Sequence, residues 1–492
     1  MKRMKLKDLL CNAGLIQING DENTDIGNIS YDTRTADENS IFVCIKGINT
    51  DRHSLIGKAA EKKCRAIVTE YPADTGDCIN VVVKNTNKAL AVISSNFYGN
   101  PDKKMKIIGV TGTNGKTTST TLIKAVLENC GYKVGLIGTN DIIIDGEAVP
   151  SDNTTPEAPD LFHWFSKMEK AGCDFAVMEV SSHSIALDRI YGINFLAGAF
   201  TNLTQDHLDY HKTMENYAET KSRFFACCDN AVINADSDWL DTMTKNVRGK
   251  LITYGVEKDA DIKAQNVIHT DSGVSYDAVG NGKNIHIDFP IPGGFSVYNS
   301  LCVCAVCEAV GIADGKIEES LKTFGTVKGR CELVPIDKPY KVIIDYAHTP
   351  DGMENILTAV NEFKKGRIIT VFGCGGDRDA GKRPKMGRIA AELSDYCVVT
   401  SDNPRTENPV AIINDVVEGV KNGKCDYTVV VNRFEAIETA LDMAKKDDVV
   451  LLAGKGHETY QILADRTIDF DERDKVTGNF TSSFAISLNA ST

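Results

Sequence analysis

Residues 111–118, Thr-Gly-Thr-Asn-Gly-Lys-Thr-Thr, lie between an apolar run at 107–110 and a segment with helical character at 121–127. A strand, a glycine-containing loop and a helix in this order indicate an α/β fold in which loop N–H groups and the helix N-terminus face a phosphate. Lys116 can reach the outer phosphates, and the Thr117 hydroxyl can bind Mg²⁺. Val110 replaces the first glycine of the common GxxxxGK[ST] pattern, so the loop is a variant. A glycine-rich turn that binds nothing is the alternative, which the buried strand before Gly-Lys-Thr-Thr disfavours.

The bulk composition indicates a large globular protein that acts on small molecules. At 492 residues, the chain is long enough for about three domains of ~150 residues each. Its net charge of -13 argues against a broad nucleic-acid-binding surface. No apolar run approaches ~18 residues, so we expect no membrane span. We find no signal-peptide core, and 15 scattered cysteines favour reduced thiols in a cytoplasmic protein.

The order of strands and helices predicts three α/β domains, at residues 1–102, 103–330 and 331–492. A turn cluster at 98–102 marks the first boundary. The second domain contains the phosphate loop and buried strands at 134–137, 175–180 and 197–201, so we expect a P-loop-type parallel sheet. It continues with strands joined by turns at 250–292 and a helix at 298–310. The third domain repeats the strand–helix rhythm, which predicts a Rossmann-like, doubly wound sheet.

Polar side chains follow many of the predicted strands. Glu179 and His207 lie on loops near the phosphate loop and are candidate metal ligands, although a histidine in a loop is often only hydrogen-bonded there. Lys221 on its own indicates an exposed helical lysine. In the third domain, the loops at 345–350, 373–383, 402–405 and 454–458 should share one edge of the sheet. Arg378 and Arg405 there could clamp a carboxylate, whereas the alternative is ordinary surface turns.

Three cysteines lie close together in the segment 301–310. Cys302, Cys304 and Cys307 could suggest a metal site, but the segment is apolar with helical character and offers no fourth ligand nearby. We therefore expect them to be small buried side chains.

The polar motifs, taken together and in order, resemble those of the Mur ligases, the cytoplasmic ATP-dependent amino-acid ligases of peptidoglycan synthesis. The resemblance covers essentially the whole chain, and within the family it favours the branch that adds a diamino acid to a UDP-linked muramoyl dipeptide. The motifs that carry it lie at 111–118, 153–156, 178–183, 201–211, 217–221, 345–350, 375–384, 402–405 and 454–458.

The resemblance implies a role for each matching residue. ATP would be bound by Gly112, Thr113, Asn114, Gly115, Lys116, Thr117, Thr118, Asn299, Arg330 and Asp345. The UDP-linked substrate would be bound by Thr33 and Arg34, the loop 47–51, Asn153, Thr154, Thr155, Ser181 and Arg189. Mg²⁺ would be bound at two sites, one with Thr117 and the other with Glu179, His207 and a carbamylated Lys221. The catalytic set would be Lys116, Glu179, His207 and Lys221. The amino acid would be bound by Arg378, Asp402, Asn403, Pro404, Arg405, Gly454 and Glu458.

The implied reaction adds meso-diaminopimelate to UDP-N-acetylmuramoyl-L-alanyl-D-glutamate through an acyl phosphate. The motif 402–405, Asp-Asn-Pro-Arg, resembles the version in diaminopimelate-adding relatives, and a guanidinium suits the second carboxylate of that amino acid. A lysine-adding ligase is the nearest rival, and a folate polyglutamate ligase is more distant. A nucleotide-driven switch that ligates nothing is a further alternative, but it would not need the polar edge of the third domain. We expect a monomer that uses ATP and Mg²⁺.

Overall fold

The computed structural model describes residues 3–47, 50–151, 153–270 and 272–478. Its three main sheets have five, eleven and six strands, and each sheet is built from one continuous stretch of the chain. The predicted α/β class is confirmed. The sheets lie within residues 15–83, 106–289 and 332–453, while the division into three domains stays a prediction.

The first sheet has the strand order β2-β7-β6-β5-β4, and only its β2–β7 pair is antiparallel. The central strands β5 and β6 are fully buried apolar runs. The strands of this region are β1 Met4–Lys5, β2 Leu15–Asn19, β3 Asp25–Ile26, β4 Asn28–Ser30, β5 Ser40–Val43, β6 Ala66–Thr69 and β7 Ile79–Val83; the helices are α1 Leu6–Leu9, α2 Ile56–Glu61 and α3 Thr86–Tyr98, with a 3₁₀ turn at Arg52–Leu55.

The second sheet is parallel through its centre and antiparallel at both edges, in the order β11-β10-β9-β12-β8-β13-β14-β15-β16-β17-β18. Its strands are β8 Lys106–Thr111, β9 Val134–Ile137, β10 Asp141–Ile144, β11 Glu147–Pro150, β12 Phe175–Glu179, β13 Phe195–Phe200, β14 Cys228–Asn234, β15 Lys250–Gly255, β16 Ile262–Thr270, β17 Gly273–Gly280 and β18 Lys283–Phe289. Its helices are α4 Lys116–Asn129, α5 Ala158–Lys170, α6 Ser182–Ala186, α7 Leu208–His211, α8 Met214–Ser222, α9 Leu240–Thr244, α10 Gly294–Ala309 and α11 Asp314–Lys322, with 3₁₀ turns at Pro101–Lys103 and Arg223–Cys227.

Strand β8 lies between β12 and β13, and all three are parallel. The loops that follow them therefore leave the same edge of the sheet, and the phosphate loop lies between the other two. The predicted strands at 134–137, 175–180 and 197–201 correspond to β9, β12 and β13.

The helix predicted at 298–310 is α10, which begins four residues earlier, at Gly294. Glycine is a poor helix former, so the pattern concealed this start. Cys302, Cys304 and Cys307 are buried within α10, as predicted. Across the part of the chain that the structure describes, no group of three or more His, Cys, Asp or Glu side chains could hold a metal ion.

The third sheet has the order β19-β20-β24-β21-β22-β23, and only β19 is antiparallel to its neighbour. The loops after β20, β24, β21 and β22 therefore share one edge, which confirms that prediction. The strands are β19 Glu332–Val334, β20 Lys341–Asp345, β21 Ile368–Phe372, β22 Tyr396–Val399, β23 Asp426–Val429, β24 Val449–Ala453, β25 Tyr460–Ile462 and β26 Thr467–Asp469; the helices are α12 Pro350–Phe363, α13 Arg383–Leu393, α14 Pro409–Val420, α15 Arg433–Met443 and α16 Glu472–Thr477, with a 3₁₀ turn at Ala380–Lys382.

None of the helices in the described residues combines the length and the apolar character that crossing a bilayer requires.

A buried ion pair attaches α16 to the third sheet. Arg433 and Glu472 lie 2.7 Å apart, and both side chains are 0% exposed. The Arg433 guanidinium also donates to the carbonyl of Ala453 at the end of β24, at 2.9 Å. Removing one partner of such a pair leaves a charge uncompensated in the interior.

We expect Glu472→Ala to destabilise the third sheet by about 3–5 kcal/mol, because Arg433 would lose its counter-charge. Urea unfolding followed by circular dichroism measures the change. The matched control is Glu438→Ala, which removes a carboxylate paired with Lys475 and 57% exposed, and which should shift the midpoint only slightly. Equal midpoints for the two variants would contradict the expectation.

Candidate active site

Two glycines allow the loop between β8 and α4 to pass close to neighbouring side chains. Gly112 has φ +152°, and a Cβ there would lie 1.9 Å from Thr201 Oγ1. Gly115 has φ +83°, and its Cβ would lie 2.4 Å from Asn299 Oδ1. The left-handed backbone and the close contacts both exclude a side chain at these positions.

The end of β13 holds this loop in place. The backbone N–H of Thr113 donates to the carbonyl of Asn202 at 2.9 Å, and the N–H of Asn114 donates to Asn202 Oδ1 at 2.9 Å. Thr201 Oγ1 donates to the Asn114 carbonyl at 2.6 Å. Asn202 is a functional residue that the sequence did not assign, although its position directly after a buried strand was a signal.

Lys116 lies over the loop at the start of α4. Its Nζ donates to the carbonyls of Gly112 and Thr113, at 3.0 and 2.7 Å. Burial lowers the pKa of Lys116, and the carboxylate of Glu179 opposes that shift. The ammonium is therefore held at the end of the loop where phosphates would collect.

Glu179 and Thr117 form an oxygen-rich contact at the same edge. Thr117 Oγ1 donates to Glu179 Oε1 at 2.9 Å and accepts from an Arg330 guanidinium nitrogen at 3.0 Å. Thr139 supports the buried carboxylate through its N–H and its hydroxyl, at 2.9 and 3.0 Å. A hydroxyl beside a carboxylate fits Mg²⁺, which takes few protein ligands and completes its shell with phosphate oxygens and water.

Lys221 is a buried amine, so the exposed-lysine interpretation is wrong. Its side chain is on helix α8, the residue is 1% exposed, and Nζ donates to the Gly112 carbonyl at 3.0 Å. Nζ also lies 4.8 Å from the ring centroid of Tyr217. Burial holds the pKa of Lys221 well below its ordinary value, and the charge of Lys116 adds to that effect. The neutral amine is the form that reacts with CO₂.

His207 directly precedes α7 and has a left-handed conformation, with φ +54°. Its side chain is 41% exposed, and Nε2 lies 3.5 Å from Asp206 Oδ2. Its ring centroid is 5.0 Å from that of His183. The residue is thus open to a ligand, while its role in holding a metal stays a prediction.

A cavity of about 480 Å³ separates the phosphate loop from the third sheet. The residues that line it come from both sides: Asn114, Gly115, Thr118 and Asn299 from one, Arg330, Asp345 and Tyr346 from the other. Phe295, Tyr298, Trp239 and Asp236 also line it, and the sequence assigned none of these four. They carry no motif, so only the folded chain identifies them.

Two hydrogen bonds connect the central part of the chain to the third-sheet side near this cavity, and two further contacts lie within the third-sheet side. Asn114 Nδ2 donates to Asp351 Oδ2 at 2.5 Å, and Gln205 Nε2 donates to Asp379 Oδ2 at 3.2 Å. The Arg330 guanidinium lies 4.7 Å from the ring centroid of Tyr346. Asp345 accepts the N–H of Cys331 at 2.7 Å, and burial raises the pKa of its carboxyl.

The edge of the third sheet forms a second polar site next to the cavity. The Tyr346 hydroxyl donates to Glu458 Oε1 at 3.4 Å, and Asn403 Nδ2 donates to Glu458 Oε2 at 2.9 Å. Asp402 and Pro404 are buried beside Asn403. Gly454 has φ +115°, and a Cβ there would lie 2.8 Å from Asp402 Oδ2.

Two guanidinium groups lie at the outer part of this edge. Arg405 has φ +52° and donates to the Gly376 carbonyl at 2.8 Å. Burial lowers the pKa of Arg405, and the positive charge of Arg378 adds to the effect. Arg378 is exposed and donates to the Asp377 carbonyl at 3.0 Å. Two neighbouring cations of this kind suit an anionic ligand.

Several of the residues predicted to bind the sugar-peptide are connected by hydrogen bonds to Glu179 or to Thr139 beside it. Thr155 Oγ1 donates to the Glu179 carbonyl at 2.8 Å and accepts the N–H of Ser181 at 3.0 Å. An Arg189 guanidinium nitrogen donates to the Thr155 carbonyl at 2.9 Å. Thr154 Oγ1 lies 3.0 Å from Thr139 Oγ1, and the neighbouring Asn153 is exposed.

The first sheet contributes a more distant turn. Thr33 follows β4, and Arg34 pairs with Asp32 beside it. The Tyr31 hydroxyl donates to Asp160 Oδ2 of α5 at 3.1 Å, which links this turn to the central part of the chain. In the predicted loop 47–51, residues 48 and 49 lie outside the described residues.

Comparison with known families identifies the class of protein. Residues 110–307 match the Mur ligase middle domain, and residues 329–456 match the Mur ligase, glutamate ligase domain. The chain belongs to the Mur ligase family.

Individual relatives narrow the comparison. The chain is 49% identical to UDP-N-acetylmuramoyl-L-alanyl-D-glutamate–2,6-diaminopimelate ligase 1 of Clostridium acetobutylicum, over 96% of this chain and 98% of that protein. It is 45% identical to the corresponding ligase of Clostridioides difficile, over 96% and 98%. A solved structure of a ligase of that name matches with a TM-score of 0.68 at 28% identity, covering 96% of this chain and 98% of that one. Mycobacterium tuberculosis folylpolyglutamate synthase, at 18% identity and a TM-score of 0.63 over 74% and 92%, shares the fold.

We expect Gly112→Ala to weaken binding of a nucleoside triphosphate by about 10- to 100-fold, because the methyl group would overlap Thr201 Oγ1. Forced backbone strain of about 1–3 kcal/mol, which is roughly 5- to 150-fold in affinity, brackets that range. Isothermal titration calorimetry with ATP measures it. Gly315→Ala is the matched control, since a Cβ there meets no atom within 4 Å. Unchanged affinity in the Gly112 variant would contradict the expectation.

Proposed function

We propose that this chain is the ATP-dependent ligase that joins meso-2,6-diaminopimelate to UDP-N-acetylmuramoyl-L-alanyl-D-glutamate in peptidoglycan precursor synthesis. The observation that carries the proposal is one cavity with the phosphate loop on one wall and Tyr346 on the other. The Tyr346 hydroxyl in turn contacts Glu458 of the second polar site. The names of the relatives supply the substrates. The protein would act in the cytoplasm as a monomer, with domains at 1–102, 103–330 and 331–492.

ATP would occupy the cavity with its phosphates on the loop. The backbone N–H groups of the loop and the start of α4 suit the phosphate oxygens. Lys116 would bind the outer phosphates, and Arg330 would approach them from the opposite wall. The residues that would hold the nucleotide are Gly112, Thr113, Asn114, Gly115, Lys116, Thr117, Thr118, Asn299, Arg330 and Asp345.

The UDP-linked dipeptide would approach from the side of Glu179. Thr155, Ser181 and Arg189 are joined by hydrogen bonds at that side, and Thr154 contacts Thr139 there. Asn153 stands next to them in sequence, and Thr33 would contact the UDP end. The terminal D-glutamate carboxylate would then lie between this group and the outer phosphate.

The reaction would proceed in two steps. The substrate carboxylate attacks the γ-phosphate of ATP and displaces ADP to form an acyl phosphate. The amine of diaminopimelate then attacks that carbonyl, displaces phosphate and gives up a proton as the amide forms. Both steps bring anions together, and the charges of Lys116 and Arg330 offset their repulsion. Two Mg²⁺ ions, one held by Thr117 and the other by Glu179, His207 and carbamylated Lys221, would supply further charge neutralisation when bound.

The second polar site would hold diaminopimelate. Arg405 and Arg378 suit a carboxylate, because two guanidiniums can bind one anion through paired hydrogen bonds. Glu458 suits an ammonium. The set proposed for the amino acid is Arg378, Asp402, Asn403, Pro404, Arg405, Gly454 and Glu458.

An acceptor comparison tests the proposal. Phosphate release should require both the UDP-dipeptide and an amino acid, and meso-diaminopimelate should be used far better than L-lysine or L-ornithine. A preference for lysine would identify the lysine-adding alternative. Release without any amino acid would favour a nucleotide-driven switch.

We expect Lys221→Ala to lower ligation about 100-fold or more, since the carbamate would have no point of attachment. Added bicarbonate should not restore activity, whereas small carboxylic acids should restore part of it. Steady-state phosphate release measures both effects. Lys212→Ala, on the neighbouring exposed turn, is the control. Near-normal activity of the Lys221 variant would contradict the role.

We expect Arg405→Ala to raise the KM for diaminopimelate by about 10- to 100-fold, because a charged hydrogen bond contributes about 1.5–3 kcal/mol. The KM for ATP should change little. Arg388→Ala is the matched control, since it removes an exposed arginine on α13 that pairs with Glu392. Equal losses for ATP and diaminopimelate would show that Arg405 is structural.

A further inference from the structure

Lys455 is a buried cation beneath the second polar site, and the proposed reaction has so far given it no role. Its side chain is 0% exposed. Nζ donates to Asn403 Oδ1 at 2.6 Å, to Glu458 Oε2 at 3.0 Å and to the Tyr460 carbonyl at 2.8 Å. An ammonium has three N–H donors, so these three contacts use all of them.

These contacts fix the orientation of the Asn403 amide. Its Oδ1 accepts from Lys455 Nζ and also from the N–H of Ile462 at 2.9 Å. Two donors on one atom identify it as the oxygen, so the other atom is the amide nitrogen. Nδ2 then donates to Glu458 Oε2 at 2.9 Å.

Glu458 is therefore held through one of its two oxygens. Oε2 accepts from both Lys455 and Asn403, whereas Oε1 accepts only the long contact from the Tyr346 hydroxyl within the described part of the chain. The two hydrogen bonds to Oε2 fix the plane of the carboxylate, and Oε1 can accept a hydrogen bond from a further donor.

The local charge favours a cation at that oxygen. Lys455 Nζ lies 3.6 Å from Asp402 Oδ1, so one ammonium faces the carboxylates of both Asp402 and Glu458. Burial raises the pKa of Asp402, but the charges of Lys455 and Arg433 outweigh it and lower that pKa overall. Lys455 neutralises only part of the charge of these two carboxylates, so an ammonium of the ligand can pair with Glu458 Oε1.

We propose that Lys455 is a positioning residue that, directly and through Asn403, turns Glu458 so that Oε1 binds an ammonium group of the diamino acid. This inference rests on the proposed function. Lys455 does not touch the substrate; it acts by removing the rotational freedom of a carboxylate that does. Its loss should therefore weaken binding of the amino acid and leave ATP binding in the adjacent cavity unchanged.

The first test compares Lys455→Met with the wild-type protein in phosphate release. Methionine keeps the apolar stem and removes the donors. We expect the KM for diaminopimelate to rise by about 10- to 100-fold, as for other small misplacements of a binding group, while the KM values for ATP and the UDP-dipeptide stay within about twofold. Lys475→Met makes the same substitution at a lysine on α16 that pairs with Glu438. This variant should change none of the three KM values.

A double-mutant cycle with Glu458→Gln separates positioning from a purely structural role. If Lys455 acts through Glu458, adding Lys455→Met to the Glu458→Gln protein should raise the diaminopimelate KM by less than about threefold, because sites that act together are not additive. The double variant also removes opposite charges together, so it remains informative if Lys455→Met alone does not fold. A further tenfold rise in the double variant would overturn the inference.

The outcomes for the two proposals are distinct. Wild-type protein that releases no phosphate with diaminopimelate would overturn the proposed function and this inference with it. Active wild-type protein combined with an unchanged diaminopimelate KM in Lys455→Met would overturn the inference alone. Equal rises in all three KM values would also overturn it, since they would show a general structural effect.

Discussion

The close approach of Gly112 to Thr201 determines how the centre of this protein is arranged. Because no side chain stands at Gly112, the end of β13 can pack directly on the phosphate loop. Hydrogen bonds from Thr201 and to Asn202 then fix the loop backbone. The carbonyls of the fixed loop in turn hold Lys116 and Lys221. One missing side chain thus allows the amines of Lys116 and Lys221 and the backbone N–H groups of the loop to share a small volume.

The site arises where the carboxyl ends of two parallel sheets face each other. The central sheet contributes the loops after β8, β12 and β13, and the third sheet contributes those after β20, β21, β22 and β24. Such edges gather polar loops because strand ends release the chain from the sheet ladder. Arg330 crosses between them, with its guanidinium on Thr117 and against the Tyr346 ring.

Much of the fold and part of the candidate site could be predicted from the sequence. The buried strands were recognisable because sheets covered by helices on both faces have continuous apolar runs. Glu179 stood out because it ends such a run. Lys221 did not, since α8 is largely polar and nothing local indicates that one face packs under the loop. The resemblance alone assigned Lys221, whereas Asn202, Asp236, Thr139 and Lys455 were missed, because their contacts depend on partners distant in sequence.

If ATP binds in the shared cavity as proposed, its affinity depends on how the central sheet and the third sheet are placed relative to each other. One wall of the cavity belongs to the central sheet and the other to the third sheet. Separating the two sheets would take Arg330 away from Thr117 and Asp351 away from Asn114. A ligand that touches both walls favours the closed arrangement in proportion to its contacts there. By reciprocity, a compound that binds between the walls and holds them apart would lower the affinity for the nucleotide without occupying the phosphate loop. An inhibitor that binds between the two sheets therefore does not have to resemble a substrate.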